Sequence, residues 1–143
     1  MNDNATLCLH IPVAISLGTR TLHGELALPA HASEVRVCIG HEDDRAAQRR
    51  EARKYAEREI AALNLVSGST MTSGDILKVI DWVRSRRLLQ PLPISLLAPS
   101  AQARAALKAA HHRPASVSGV IVKRTDAPKP RNRVRHLTLA YSA

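Results

Sequence analysis

Seven histidines, two cysteines and a cluster of arginines are the side chains best able to do chemistry in this chain of 143 residues. Their spacing excludes several kinds of site. Cys8 and Cys38 lie far apart in apolar, strand-like runs without a CxxC pair, which argues against a zinc site or a disulfide framework and for buried free thiols. His111 and His112 are adjacent, so a helix would aim their rings in different directions, and at a helix end they serve the negative pole of the dipole. His10, His23 and His31 form no cluster. Gly68-Ser69 followed by Gly74 lacks the lysine and the spacing of a phosphate loop. Arg84, Arg86 and Arg87 gather where a helix is predicted to end; the macrodipole accounts for them, and an anion site is the alternative. Neither a metal nor a cofactor is expected.

The elements that must position any site come from a chain of single-domain length. Hydrophobic residues make up 45% and charged residues 23%, which supports a folded core. Aromatic residues are only 2% and Phe is absent, so that core must be Leu, Ile, Val and Ala. No apolar run is long enough to cross a membrane, and Met1-Asn2-Asp3-Asn4 lacks the basic flank of a secretory signal, so a cytoplasmic protein is expected. The net charge of +9 is unevenly spread: residues 1–82 hold 9 Lys/Arg against 11 Asp/Glu, whereas residues 83–143 hold 12 against one, Asp126. A basic half of this kind attracts phosphate backbones, but no recognition motif or stacking aromatics accompany it.

Period-two apolar spacing at Leu7, Leu9, Ile11, Val13 and Ile15, then Gly18-Thr19, then Leu22, Leu26 and Leu28, predicts a β-hairpin. Val35, Val37 and Ile39 give a third strand ending at Gly40. Strong helix formers from Asp44 to Leu63 predict an amphipathic helix, with Asn64 to Thr70 a short strand. Thr72-Ser73-Gly74-Asp75 reads as a capping-box variant opening a second helix that runs to about Leu89. Ile94 to Ala98 is a strand, Ala101 to His112 an Ala-rich helix, Val117 to Val122 a strand, Thr125 to Arg133 a loop, and Leu137, Leu139 and Tyr141 a last strand. This alternation implies a three-layer α/β/α domain over residues 1–143, its sheet mostly parallel with an antiparallel N-terminal hairpin.

Ile11-Pro12 through Leu22-His23-Gly24-Glu25-Leu26-Ala27-Leu28-Pro29, then Val35 to Gly40, resembles the opening of dienelactone-hydrolase-like members of the α/β-hydrolase superfamily. Val79-Ile80-Asp81-Trp82-Val83-Arg84 and Leu92 to Leu107 resemble that family's helix, strand, nucleophile turn and following helix. Val134 to Ala143 resembles the strand before the family's acid loop, so the family's final strand, helix and histidine loop have no counterpart in this sequence.

The resemblance places Ser100 in the nucleophile's position and the Ala101 amide as one oxyanion donor, with a second donor from the loop around Gly40-His41. The family writes the turn G-x-S-x-G. Here it reads Ala98-Pro99-Ser100-Ala101-Gln102, without either glycine and with a long side chain at Gln102. The formal order Ser100, Asp126, His136 exists, with Asp126 a candidate acid at the carboxyl edge of the sheet. His136, however, begins its strand, and a parallel strand would put it at the opposite edge, roughly 17 Å away at about 3.3 Å per residue. His41, following the third strand, is the remaining candidate base.

The reading that follows is a noncatalytic α/β-hydrolase-like protein binding a small molecule or a partner. The alternatives are a weak serine esterase using Ser100, and nucleic-acid binding through the basic half. An uncovered sheet edge further implies a homodimer through the Leu137 to Tyr141 strand.

Overall fold

The computed structural model describes residues 8–40, 45–66 and 70–123 and the strand 136–140. The predicted hairpin is β1 (Cys8–Ser16) and β2 (Thr21–Pro29), paired antiparallel from Cys8 opposite Pro29 to Ser16 opposite Thr21. β3 (Glu34–Gly40) leads into α1 (Arg45–Glu57), β4 (Ile60–Val66) and α2 (Ser73–Ser85). β5 (Ile94–Pro99), a short 3₁₀ turn (Ser100–Gln102), α3 (Ala103–His112), β6 (Val117–Lys123) and β7 (His136–Ala140) complete the chain. One seven-stranded sheet has the order β1-β2-β4-β3-β5-β6-β7. Its centre, β4-β3-β5-β6, is parallel, and antiparallel strands flank it on both sides.

Helices cover both faces, giving the three layers expected. On one face the buried stripe of α2, Ile76, Val79, Ile80 and Val83, joins Ala106, Ala109 and Ala110 of α3 over Val35, Val37, Leu63, Leu65, Leu96 and Val120. Each valine, leucine or isoleucine removed from water there contributes about 1.5–3 kcal/mol. On the other face α1 sets Ala52 against Ala27 and Ala62, with Tyr55 and Cys8 beside them. Small residues there let helix and sheet approach. Backbones also approach closely where β2 crosses β4: a Cβ on Gly24 would collide with the carbonyl oxygen of Asn64.

Two helix boundaries and one strand direction differ from the sequence reading. The first helix stops at Glu57, and Ile60–Val66 is a central strand, so Ile60 and Leu63 belong to the sheet and not to the helix. The cause lies in burial: Ile60, Ala61, Ala62, Leu63 and Leu65 are buried in a strand with parallel β3 on one side and β2 on the other. A strand covered on both faces reads as a continuous apolar run that mimics a helix in composition. The second helix ends at Ser85, not near Leu89, with Arg86 already extended. The last strand pairs antiparallel to β6, His136 standing opposite Lys123 and Ala140 opposite Gly119. A parallel strand would need a crossover element, and the intervening sequence carries Pro128 and Pro130, which a helix interior does not tolerate.

The end of α1 is forced by one residue. Arg58 and Glu59 donate their amides to the carbonyls of Tyr55 and Ala56, and Glu59 has φ of 63°, a left-handed conformation that costs a residue with a Cβ about 1–2 kcal/mol. Replacing Glu59 with Gly removes that cost but enlarges the entropy of the unfolded chain. Glu59→Gly should therefore raise stability by about 0.5 kcal/mol, visible as a higher urea midpoint at unchanged slope.

Candidate functional site

The connections reverse direction between β3 and β5. The chain leaves β3 through α1 toward β4, and leaves β5 through α3 toward β6, on opposite sides. In open α/β sheets such a switch point, outside the carboxyl ends of the strands, is where loops diverge and ligands bind. The register puts His23 opposite Val66, Val66 opposite Gly40, Pro99 opposite Lys123, and Lys123 opposite His136. With Cys38 opposite Leu97, Gly40 stands level with Pro99. These residues form one row along the carboxyl edge.

Ser100 follows that row directly and is exposed, as is Ala101. Both therefore lie at the carboxyl edge of the sheet. His136 corrects it: because β7 runs antiparallel, its backbone belongs to the same edge as Ser100, two strands across. At about 4.8 Å per strand that separation is roughly 10 Å and not the 17 Å inferred for a parallel strand. His23, at the same edge, is three strands from β5 on the other side, roughly 14 Å by the same spacing. His41 and Asp126 lie outside the described residues.

The turn itself has an unexpected form. A nucleophile elbow holds its serine in a strained conformation that lifts the hydroxyl clear of the sheet. Here Pro99 leaves β5 at φ −68° and ψ 161°, and the chain passes into a 3₁₀ turn whose Ser100 carbonyl accepts the Ala103 amide. Among the described residues Glu59 alone, glycines aside, has positive φ, so Ser100 carries no left-handed strain. The Ala101 amide belongs to the first turn of a helix, where backbone donors have no intrahelical acceptor.

Gln102 occupies the position of the second elbow glycine and is buried. Its Nε2 donates to the Met71 carbonyl and its Oε1 accepts the Met71 amide, both at 2.8 Å. The residue that looked like an obstruction is a clamp between the turn after β5 and the approach to α2. One residue on, Thr72 accepts the Asp75 amide on its hydroxyl while the Asp75 carboxylate accepts the Thr72 amide, so the predicted capping box is present. No motif announces the clamp; the clue is a glutamine between Ala-rich neighbours at the start of a helix.

Arg84 is not available as an anion site. Its guanidinium donates to the carbonyls of Leu89, Gln90, Leu92 and Ser116 and to the Ser116 hydroxyl. Burial holds its pKa below the usual guanidinium range, but these carbonyls surround a cation. Arg86 instead stacks over Trp82, 4.8 Å from the ring centroid. Both cysteines are free thiols, half-buried, and burial pushes Cys38 up to about 12 and Cys8 upward as well, so neither presents a thiolate near neutral pH. A further polar cluster lies at the opposite edge, where the Ser95 hydroxyl donates to Glu34 at 2.5 Å and Arg36 bridges both. No group of three His, Cys, Asp or Glu suited to a metal occurs among the described residues. Nor does any helix among them have the length and apolarity to cross a membrane.

Removing the Gln102 amide would leave the buried amide and carbonyl of Met71 without partners, at about 1–3 kcal/mol each. Gln102→Leu should therefore lower the unfolding free energy by roughly 2–4 kcal/mol in urea titration. If it were neutral, the clamp would have no structural weight.

No family model matches the chain, and no curated relative does. Solved structures do resemble it. Dienelactone hydrolase from Anabaena variabilis ATCC 29413 superposes with a TM-score of 0.66 at 20% identity, covering 79% of this chain and 62% of that one. A cold-adapted esterase from an Arctic intertidal metagenomic library gives 0.63 at 13% identity, over 85% of this chain and 60% of the esterase. The α/β hydrolase GrgF from Penicillium sp. sh18 gives 0.60 at 15%, over 80% and 45%. The chain thus spans about three fifths of the length of the dienelactone hydrolase and the cold-adapted esterase. Its fold is that of the α/β-hydrolases.

Proposed function

We propose that this chain is a noncatalytic α/β-hydrolase-like protein, a binding module built on a hydrolase scaffold. The observation that carries the reading is the turn after β5: unstrained at Ser100, and occupied at Gln102 by a buried amide bonded to Met71. Serine hydrolysis needs a lifted hydroxyl, an imidazole within about 3 Å and donors aimed at the developing oxyanion. A serine at the head of an ordinary helical turn, with its neighbour held down, meets the first demand poorly. A fluorophosphonate probe should leave Ser100 unlabelled, and Ser100→Ala should change the background hydrolysis of p-nitrophenyl butyrate by less than about twofold. Stoichiometric labelling that Ser100→Ala abolishes would defeat the proposal.

One observation favours the alternative of a weak serine esterase. The antiparallel course of β7 brings the backbone of His136 to the edge that carries Ser100, and the structural neighbours named above include a dienelactone hydrolase and an esterase. In that case His136→Ala and Ser100→Ala should abolish the same activity. We further propose self-association: β7 ends the sheet, so its outer backbone groups lack a strand partner among the described residues, and a twofold pairing through it would supply one. Sedimentation should show a dimer at micromolar concentration; a monomer throughout would exclude it.

A further inference from the structure

A groove of about 420 Å³ lies at the other end of α2 from Ser100. α2 begins after the carboxyl end of β4 and ends before β5 starts, so its last residues sit at the amino edge of the parallel strands. The floor is the outer hairpin, with Ile11, Val13, Leu26 and Leu28; Trp82 and Leu88 form a wall. Within the groove Leu88 is 72% exposed and Ile11 36%, and Leu9, outside its lining, is 64% exposed. Solvent-facing aliphatic side chains gathered at one concavity mark a binding surface more often than a solvated one.

Charge narrows the occupant. Arg86 and Arg87 line the same groove, and neither is bonded to a carboxylate among the described residues, whereas Arg20, Arg36, Arg49 and Arg113 all are. The Arg86 guanidinium sits over the Trp82 ring, which holds its charge at the apolar wall. An added β-strand is a poor fit, because Pro12 removes a backbone donor from the middle of the exposed β1 edge. A membrane surface is also a poor fit, since such surfaces are read by clusters of about four to eight cations. The volume accords with one hydrocarbon chain.

We propose that this groove binds a single-chain amphiphile with a carboxylate head, its alkyl chain over Ile11, Val13 and Leu28 and its head between Arg86 and Arg87. The site does not depend on the chemistry of Ser100. Trp82 is the only tryptophan in the chain, so its emission reports the groove directly. Sodium dodecanoate, titrated below its micelle concentration, should shift that emission saturably, and Ser100→Ala protein should bind with the same Kd. The double variant Arg86→Gln/Arg87→Gln should weaken dodecanoate about tenfold while leaving dodecanol within about twofold. Leu88→Asp, at an exposed position, should weaken both. The proposal fails if the emission does not respond below the micelle concentration, if dodecanol binds as tightly as dodecanoate, or if only anionic lipid vesicles produce the response.

Discussion

The position of α2 governs most of what this chain can do, and two side chains outside its apolar stripe fix it. At the start, the Gln102 amide and the Met71 backbone close a buried pair of hydrogen bonds immediately before the Thr72 cap. At the end, Arg84 gathers the carbonyls of the loop between α2 and β5 and of the turn before β6. Hydrophobic burial draws the helix onto the sheet without choosing its register, because it is non-directional. The polar contacts at both ends supply direction. Lys78 adds a third tie, donating to the Leu17 carbonyl at 2.6 Å and so fastening the hairpin to the helix.

Each end then has its own consequence. At the carboxyl edge, Gln102 bonds the Met71 backbone, and the chain around Ser100 takes a 3₁₀ turn. Strained turns persist only where the surroundings over-determine them. Here they determine something else. At the amino edge, the tethered loop exposes Leu88 while Leu89 is buried, and it places Arg86 on Trp82, so the groove is a by-product of the same fastening.

Much of this was legible in the sequence, for identifiable reasons. Alternating apolar residues marked β1 and β2, and Thr72 with Asp75 marked the start of α2, because those signals are local. Ile60–Leu63 was not legible as strand, although Asn64 onward was: its alanines and leucine suit a helix, and only burial on both faces decides otherwise. The direction of β7 depends on pairing with a strand distant in sequence, which no local pattern encodes. The clamp at Gln102 joins residues 31 positions apart and gives no periodic signal at all. His41 and Asp126 belong to segments outside the described residues, so of the candidate site only the places of Ser100 and Ala101 after β5 were legible, while the edge that carries His136 was not.

On the noncatalytic reading proposed above, the feature that accounts for inactivity moves. Read from sequence, the missing component is the base, because a parallel last strand would carry its histidine away from Ser100. The antiparallel register returns an imidazole-bearing residue to the correct edge, and the base ceases to be the decisive absence. What remains is the turn. Oxyanion stabilisation requires donors already aimed where charge develops, and its loss alone costs about two to three orders of magnitude. A histidine brought near Ser100 would meet a serine at the head of a 3₁₀ turn without left-handed strain. Supplying imidazole is thus a weaker remedy than releasing Gln102, and releasing Gln102 loosens the contact that seats α2. On that reading the serine turn and the seating of α2 draw on the same two hydrogen bonds.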